Sequence, residues 1–307
     1  MKSIKIDQKL FVENRKRLVK ELKPNSIVVV QANDVMPTNA DGTMHFKQNT
    51  DLFWLTGVNQ EESILVLYPD SPDPAFREVL FLTETSPLIE VWYGKKLMKD
   101  EAAELTGIQN IVWLSGFNGI FRNLVTDAEN VYINTNEHKR ADVIVQSKSF
   151  KFIDWCKENY PLHNYCRLAP IINRLRMIKS PIEIELMQKA CDLTEKAFRR
   201  VLKFVKPGVM EYEIEAEFTH EFVRSGSAYA DYYPIIASGP GACVLHYIKN
   251  DEPCKDGDVI LIDTGASYSN YNADMTRCVP VNGKFTKRQK QVYSACLRVM
   301  RSTIEEL

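Results

Sequence analysis

The chain has 307 residues, with Lys+Arg 39 against Asp+Glu 40 and a formal net charge of -1. That balance leaves no strongly basic lobe for nucleic acid and no polybasic patch for a membrane surface. Apolar residues make up 45% and charged residues 26%, the composition of a globular protein, which excludes disordered, collagen-like and low-complexity chains. A single hydrophobic core rarely serves this length, so two domains are expected.

Seven cysteines, at positions 156, 166, 191, 243, 254, 278 and 296, are scattered, odd in number and free of C-x-x-C pairs. They predict reduced thiols and a cytoplasmic location, not a disulfide framework. Charges interrupt the opening MKSIKIDQKLFVENRKRL before any apolar signal region can form. The longest apolar runs are strand-sized, so no membrane span is expected.

In chain order, Phe11 to Leu22 reads as an amphipathic helix stopped by Pro24. SIVVVQ (26–31), SILVLY (63–68) and EVLFLT (78–83) read as buried strands, the last two joined as a hairpin across DSPDP (70–74). A short helix over 100–107 ends at Gly107, and IVWL (111–114) and NVYIN (130–134) complete a mixed α/β sheet. The texture changes over 165–178. A long helix then starts at Ser180-Pro181, with Glu183 three residues after the serine, and ends at Pro207-Gly208. A second helix, 211–226, stops at Gly226. The expected division is 1–170 and 171–307, an α/β (α+β) chain with a mixed-sheet N-terminal domain.

The chemistry concentrates in DGDVILIDTGASYSNYNADMTRCVPV (256–281). VILI reads as a buried strand by composition, followed by Asp263 where an apolar residue would be expected, and SYSN (267–270) is a turn. A hairpin centred between Tyr268 and Ser269 would set Asp263 directly opposite Asp274. Opposed residues share a face with Cβ atoms about 4.5–5.5 Å apart. Two carboxylates at that spacing must share a proton or hold a cation between them, and a divalent, oxygen-preferring metal resolves the conflict. The alternative is that both are solvated residues flanking a turn; spacing alone leaves the two readings open.

In ASGPGACVLHY (237–247), Gly239 and Gly241 predict a tight turn and CVLHY a short strand ending at His246. That imidazole could stabilise a developing oxyanion or relay a proton, or it could be a half-buried histidine satisfied by backbone. The glycine spacing is not that of a phosphate-binding loop. His220 reads as a helix-face residue, and His45, His138 and His163 as loop residues without ligand partners. Tyr229, Tyr232 and Tyr233 could line a pocket or pack in a core.

With these residues in view, the sequence resembles the Xaa-Pro aminopeptidases (aminopeptidase P) of the pita-bread metallopeptidase family. The segments that carry the resemblance are SGPGACVLHY, the 256–281 run continuing through NGKF, and, in the first half, MHFKQNTDLFWLTGVNQEESILVLY (44–68) and IEVWYGKKL (89–97). The resemblance implies a partial pita-bread catalytic domain after the N-terminal domain. It implies two divalent cations, manganese foremost, with Asp263 a terminal ligand and Asp274 a bridging one. The cations would supply a bound hydroxide that attacks the bond preceding proline. His246 would stand beside the scissile bond and Tyr232 near the bridging aspartate. Trp92, and less directly Asp41, would reach into a neighbouring subunit's pocket, which implies a homo-oligomer, a dimer or tetramer, acting on proline-containing peptides.

The family site also takes a histidine and two glutamates further along. After Asp274 this chain has no histidine, and its only glutamates are Glu305 and Glu306. The chain is therefore expected to stop inside the catalytic domain and to be inactive by itself. A prolidase-like dipeptidase and a non-catalytic binding module of the same fold are the alternatives.

Overall fold

The computed structural model describes residues 6–140, 144–230 and 232–307. The chain divides into two compact units, with the division between Ser180 and Pro181.

The first unit mixes helices and strands along the chain. They are α1 (Lys9–Val19), β1 (Ser26–Gln31), α2 (Thr50–Thr56), β2 (Ile64–Leu67), β3 (Glu78–Leu82), α3 (Pro87–Tyr93) and α4 (Lys99–Thr106). There follow β4 (Asn110–Trp113), α5 (Phe117–Asp127), β5 (Asn130–Ile133), α6 (Lys148–Asn159), β6 (Asn164–Arg167) and α7 (Ala169–Met177). The six strands form one sheet in the order β4-β3-β2-β1-β5-β6. β1–β2 and β2–β3 are antiparallel, and the outer pairings are parallel. The mixed sheet and the β2–β3 hairpin are as the sequence predicts. Continuous apolar runs in β1 and β3 follow from burial on both faces. Val28, Val30 and Leu80 point into one core with α1, α2 and α4. Ile27, Val29 and Phe81 point into the other, where Phe117, Phe121 and Phe152 of α5 and α6 pack ring to ring. α7, in the stretch where the sequence texture changes, packs fully buried Ile172 into the first of these cores.

The second unit contains α8 (Pro181–Phe204), α9 (Glu211–Arg224), β7 (Ala228–Tyr229), β8 (Ile235–Ser238), β9 (Val259–Thr264), β10 (Ala266–Tyr268), β11 (Tyr271–Asn272), β12 (Met275–Pro280) and α10 (Lys287–Glu306). Two three-stranded sheets, β12-β9-β8 and β11-β10-β7, share the long hairpin that runs from β9 to β12. α8 buries Leu186, Ala190, Thr194, Ala197 and Val201 at helical spacing, and its core includes Phe218, Phe222, Ile236, Ile260 and Ile262. Among the described residues no helix is long and apolar enough to cross a membrane, and all seven cysteines are free.

Candidate metal centre

Burial along β9 alternates: Ile260, Ile262 and Thr264 are buried, while Val259, Leu261 and Asp263 are half-buried. Asp263 thus leaves the strand on its more open face, and the expectation of a wholly buried strand is corrected to a half-buried one. Asp274 precedes β12 and is exposed.

The register differs from the one anticipated. Asp263 pairs with Thr276, and Tyr268 with Tyr271, so Asp274 is not directly opposite Asp263. The turn residues are Ser269 and Asn270, both with positive φ (50 and 62), as a two-residue hairpin turn of the I′ type requires. Moving the hairpin centre by one residue moves each cross-strand partner by two, which preserves the face. Asp263, Asp274 and Thr276 therefore share a face, and the two aspartates are diagonal neighbours.

The hairpin is pinched between β9 and β10. A Cβ on Gly265 would lie 1.9 Å from the Ala273 carbonyl oxygen, so no larger residue fits without moving backbone. Ala273 N donates to Ala266 O at 2.9 Å, but Ala266 N donates to Thr194 Oγ1 of α8, also at 2.9 Å. A threonine on the apolar stripe of α8 thereby holds the hairpin beside the aspartates.

Four oxygen-bearing side chains converge here: Tyr232, Asp263, Asp274 and Thr276. The Tyr232 hydroxyl donates to Asp274 Oδ1 at 3.3 Å. Burial raises the Tyr232 phenol above its ordinary range, and both carboxyls reinforce the shift, so it remains a donor at neutral pH. Burial also raises the Asp263 carboxyl and Asp274 adds to it, while a hydrogen bond from Thr276 pulls the other way. Asp263 Oδ1 is buried and has no hydrogen-bond partner. An oxygen left unsatisfied, next to a second carboxyl, fits a hard divalent cation; an all-oxygen donor pair suits magnesium, calcium or manganese. Among the described residues no third His, Cys, Asp or Glu completes a metal-binding group with them.

His246 is placed differently from expectation. The CVLHY strand does not form: β8 ends at Ser238, and Gly239–Cys243 is a 3-10 turn followed by a further turn that carries His246, exposed, on a loop. Gly239 has φ +54 and Pro240 offers no N–H to a ladder, so the chain leaves the sheet there. Among the described residues His246 makes no hydrogen bond to Asp263, Asp274 or Tyr232. Trp92 is 75% exposed on α3, and Asp41 lies at an exposed loop tip beside the Pro37–Thr43 bridge; both belong to the first unit. Tyr229 packs in the core against Phe222, His220 is exposed on α9, and Glu305 and Glu306 are exposed at the end of α10. Thr194, Gly265 and Thr276 were not singled out from sequence. For Thr194 the available signal was a polar residue on an apolar helical stripe.

Two aspartates brought together on one hairpin fit a divalent cation, and residues 185–307 match the description "Metallopeptidase family M24". Residues 11–132 match "Aminopeptidase P, N-terminal domain". The Xaa-Pro aminopeptidase of Escherichia coli K12 is 34% identical over 300 residues, covering 97% of this chain and 68% of that protein. The Haemophilus influenzae Xaa-Pro aminopeptidase is 31% identical over 306 residues, covering 99% and 68%. The solved low-pH form of Escherichia coli aminopeptidase P superposes with a TM-score of 0.85 at 33% identity, covering 98% of this chain and 69% of that one. The chain belongs to the Xaa-Pro aminopeptidase family of metallopeptidases, with the family's mixed-sheet N-terminal domain and part of its pita-bread catalytic domain.

Proposed function

We propose that this chain carries the N-terminal domain and the aspartate-bearing part of the catalytic domain of an enzyme that removes an N-terminal residue preceding proline. The observation that carries this reading is the convergence of Asp263, Asp274 and Tyr232 on one face of the hairpin, with a buried Asp263 oxygen left unsatisfied. Asp263 and Asp274 would hold two divalent cations, manganese being the proposed metal. When bound, the cations supply Lewis acidity and lower the pKa of water, so that a nucleophile is available near neutral pH.

The chain's own residues have separate tasks. Asp274 is oriented by the Tyr232 hydroxyl, whose raised phenol keeps its proton. His246, accessible on its loop, would hydrogen-bond the carbonyl oxygen of the scissile bond as negative charge develops, or return a proton to the departing proline nitrogen. Proline lacks an amide N–H and has a fixed φ, so recognition has to rest on shape, not on a backbone donor. Exposed Leu88, Val91, Trp92 and Tyr93 on α3 form an apolar surface suited to a second copy. On that basis Trp92 and Asp41 are proposed to close a neighbouring subunit's pocket in a dimer or tetramer. A cytoplasmic location is proposed from the seven free thiols.

Two carboxyl groups cannot satisfy two cations alone, and the absence of a third ligand among the described residues supports an inactive 307-residue chain. Elemental analysis after manganese loading and desalting tests this. Close to two equivalents are expected in a version extended to the relatives' length, and almost none in this chain. Stoichiometric metal in this chain would overturn the incomplete-site reading. In the extended version Asp274→Ala is expected to lose metal and hydrolysis together. His246→Ala should keep its metal and lose about 10²–10⁴-fold in turnover, the usual worth of a proton-transfer group.

A further inference from the structure

Glu211, the first residue of α9, is fully buried. Its carboxyl accepts three hydrogen bonds: Oε1 from Ser238 N at 2.7 Å, and Oε2 from the Tyr247 hydroxyl at 2.7 Å and from Glu252 N at 3.1 Å. Its own N–H donates to Glu252 O at 3.1 Å. Four residues further on, Glu215 Oε2 accepts from Asn250 Nδ2 at 2.9 Å. Asn250 is buried at φ 50; its Oδ1 accepts from Ile236 N and its Nδ2 also donates to Pro234 O, both at 3.0 Å. Residues four apart share a helix face. α9 therefore turns two glutamates toward one segment, 234–252.

What this pair fastens is the loop that carries His246. Ser238 ends β8 and Tyr247 follows His246, so a single carboxyl bonds both ends of residues 238–247. Between those anchors the loop is open to solvent, with Leu245 90% exposed. Among the described residues Glu211 makes no ion pair. A buried carboxyl is costly unless donors satisfy it, and here three hydrogen bonds and the N-terminal end of α9 provide that. An apolar side chain would fill the same volume but would leave the Ser238 amide, the Glu252 amide and the Tyr247 hydroxyl without an acceptor. The carboxyl exchanges easy burial for a loop held in one shape.

We propose that Glu211 is the positioning residue for His246: by bonding Ser238 and Tyr247 together it closes the 238–247 loop and fixes where the imidazole stands. The catalytic consequence rests on the reading of His246 as a group that meets the substrate. Glu211 touches no reacting atom, so its effect must pass through the loop.

The test compares Glu211→Gln and Tyr247→Phe with His246→Ala. On the 307-residue chain, amide hydrogen exchange across 238–247 is measured together with the imidazole NMR signals of His246, assigned by their loss in His246→Ala. Tyr247→Phe removes one of three bonds and is expected to speed loop exchange about ten-fold, the scale of one lost hydrogen bond, and to shift or broaden the His246 signals. In the version extended to the relatives' length, kcat on a Xaa-Pro peptide is expected to fall at least about ten-fold with KM and manganese content unchanged, a split expected when an interaction made only in the transition state is lost. Should Glu211→Gln fail to fold, Tyr247→Phe decides. Unchanged loop exchange and unchanged His246 signals in a folded Tyr247→Phe would overturn the clamp and leave the reading of His246 intact. An unchanged kcat in His246→Ala would overturn that reading, and with it the catalytic half of the proposal.

Discussion

Gly265 is opposed by Asp274 in the hairpin register, and a methyl group there would fall 1.9 Å from the Ala273 carbonyl oxygen. No rotamer relieves a clash with backbone, so Gly265→Ala should separate the strands at the point where they present the aspartates. The expected cost is about 3 kcal/mol, the upper range for overpacking, measured as a lowered urea midpoint at unchanged slope. Manganese uptake by the version extended to the relatives' length should fall in parallel. A variant of wild-type stability would show that the pinch relaxes freely. Thr194 illustrates the same scale of argument. Its hydroxyl gives a hydrogen bond to Ala190 O at 2.8 Å and receives one from Ala266 N. From sequence it is a polar interruption of a helix, satisfied within its own helix by Ala190 O, and only the arrival of β10 gives its oxygen a donor from another element.

At the scale of elements, α8 and α9 are joined by packing and by charge. Phe198 meets Phe218 edge to face at 5.0 Å between ring centroids, and Lys196 Nζ lies 2.6 Å from Glu221 Oε1. The hydrogen bond from Lys196 is the main cause holding the Glu221 carboxyl below its usual range, and the nearby arginines reinforce it. A carboxyl lowered by folding stabilises the native state fully above its unfolded value of about 4.3. That contribution is lost as pH falls through the lower folded value. Urea midpoints should therefore drop more steeply below pH 4 in the wild type than in Glu221→Gln, while near pH 6 the variant should be the weaker of the two. Equal acid slopes would remove the ion pair from the account. Both helices were legible in the sequence because apolar residues recur at helical spacing and both stops are marked by Gly or Pro. The ion pair was not, since Lys196 and Glu221 lie on different helices whose relative rotation no local pattern encodes.

Across the whole molecule, the two units enclose separate cores, but the second leaves an apolar face uncovered. α10 has no buried residue. Together with Val259, Cys278 and Phe285 its Val292, Tyr293, Leu297 and Met300 line a cavity of about 700 Å³. A cavity of this size with apolar lining has room for an apolar small molecule. The chain is expected to enhance the fluorescence of an apolar dye. Val292→Lys should cut that enhancement by half or more without lowering the melting temperature, because Val292 is already 48% exposed. A melting temperature that fell with the dye signal would show Val292 to be part of the core.

The sequence alone was enough for the mixed sheet, the β2–β3 hairpin, the two long helices and the placing of Asp263, Asp274 and Tyr232 in one neighbourhood. The elements and the aspartate hairpin follow from hydrophobic period and turn chemistry, which are local along the chain, whereas Tyr232, 42 residues from Asp274, was expected beside it only from the family resemblance. The tertiary structure decided the register of the hairpin, the open face on which Asp263 stands, the loop conformation of His246 and the hydrogen-bond partners of Thr194 and Glu211. Each of those depends on which donor meets which acceptor across tens of residues, and on how much water their packing excludes. A turn one residue from its expected centre changes the partner of Asp263 from Asp274 to Thr276, yet the face is kept because side chains along a strand alternate with period two.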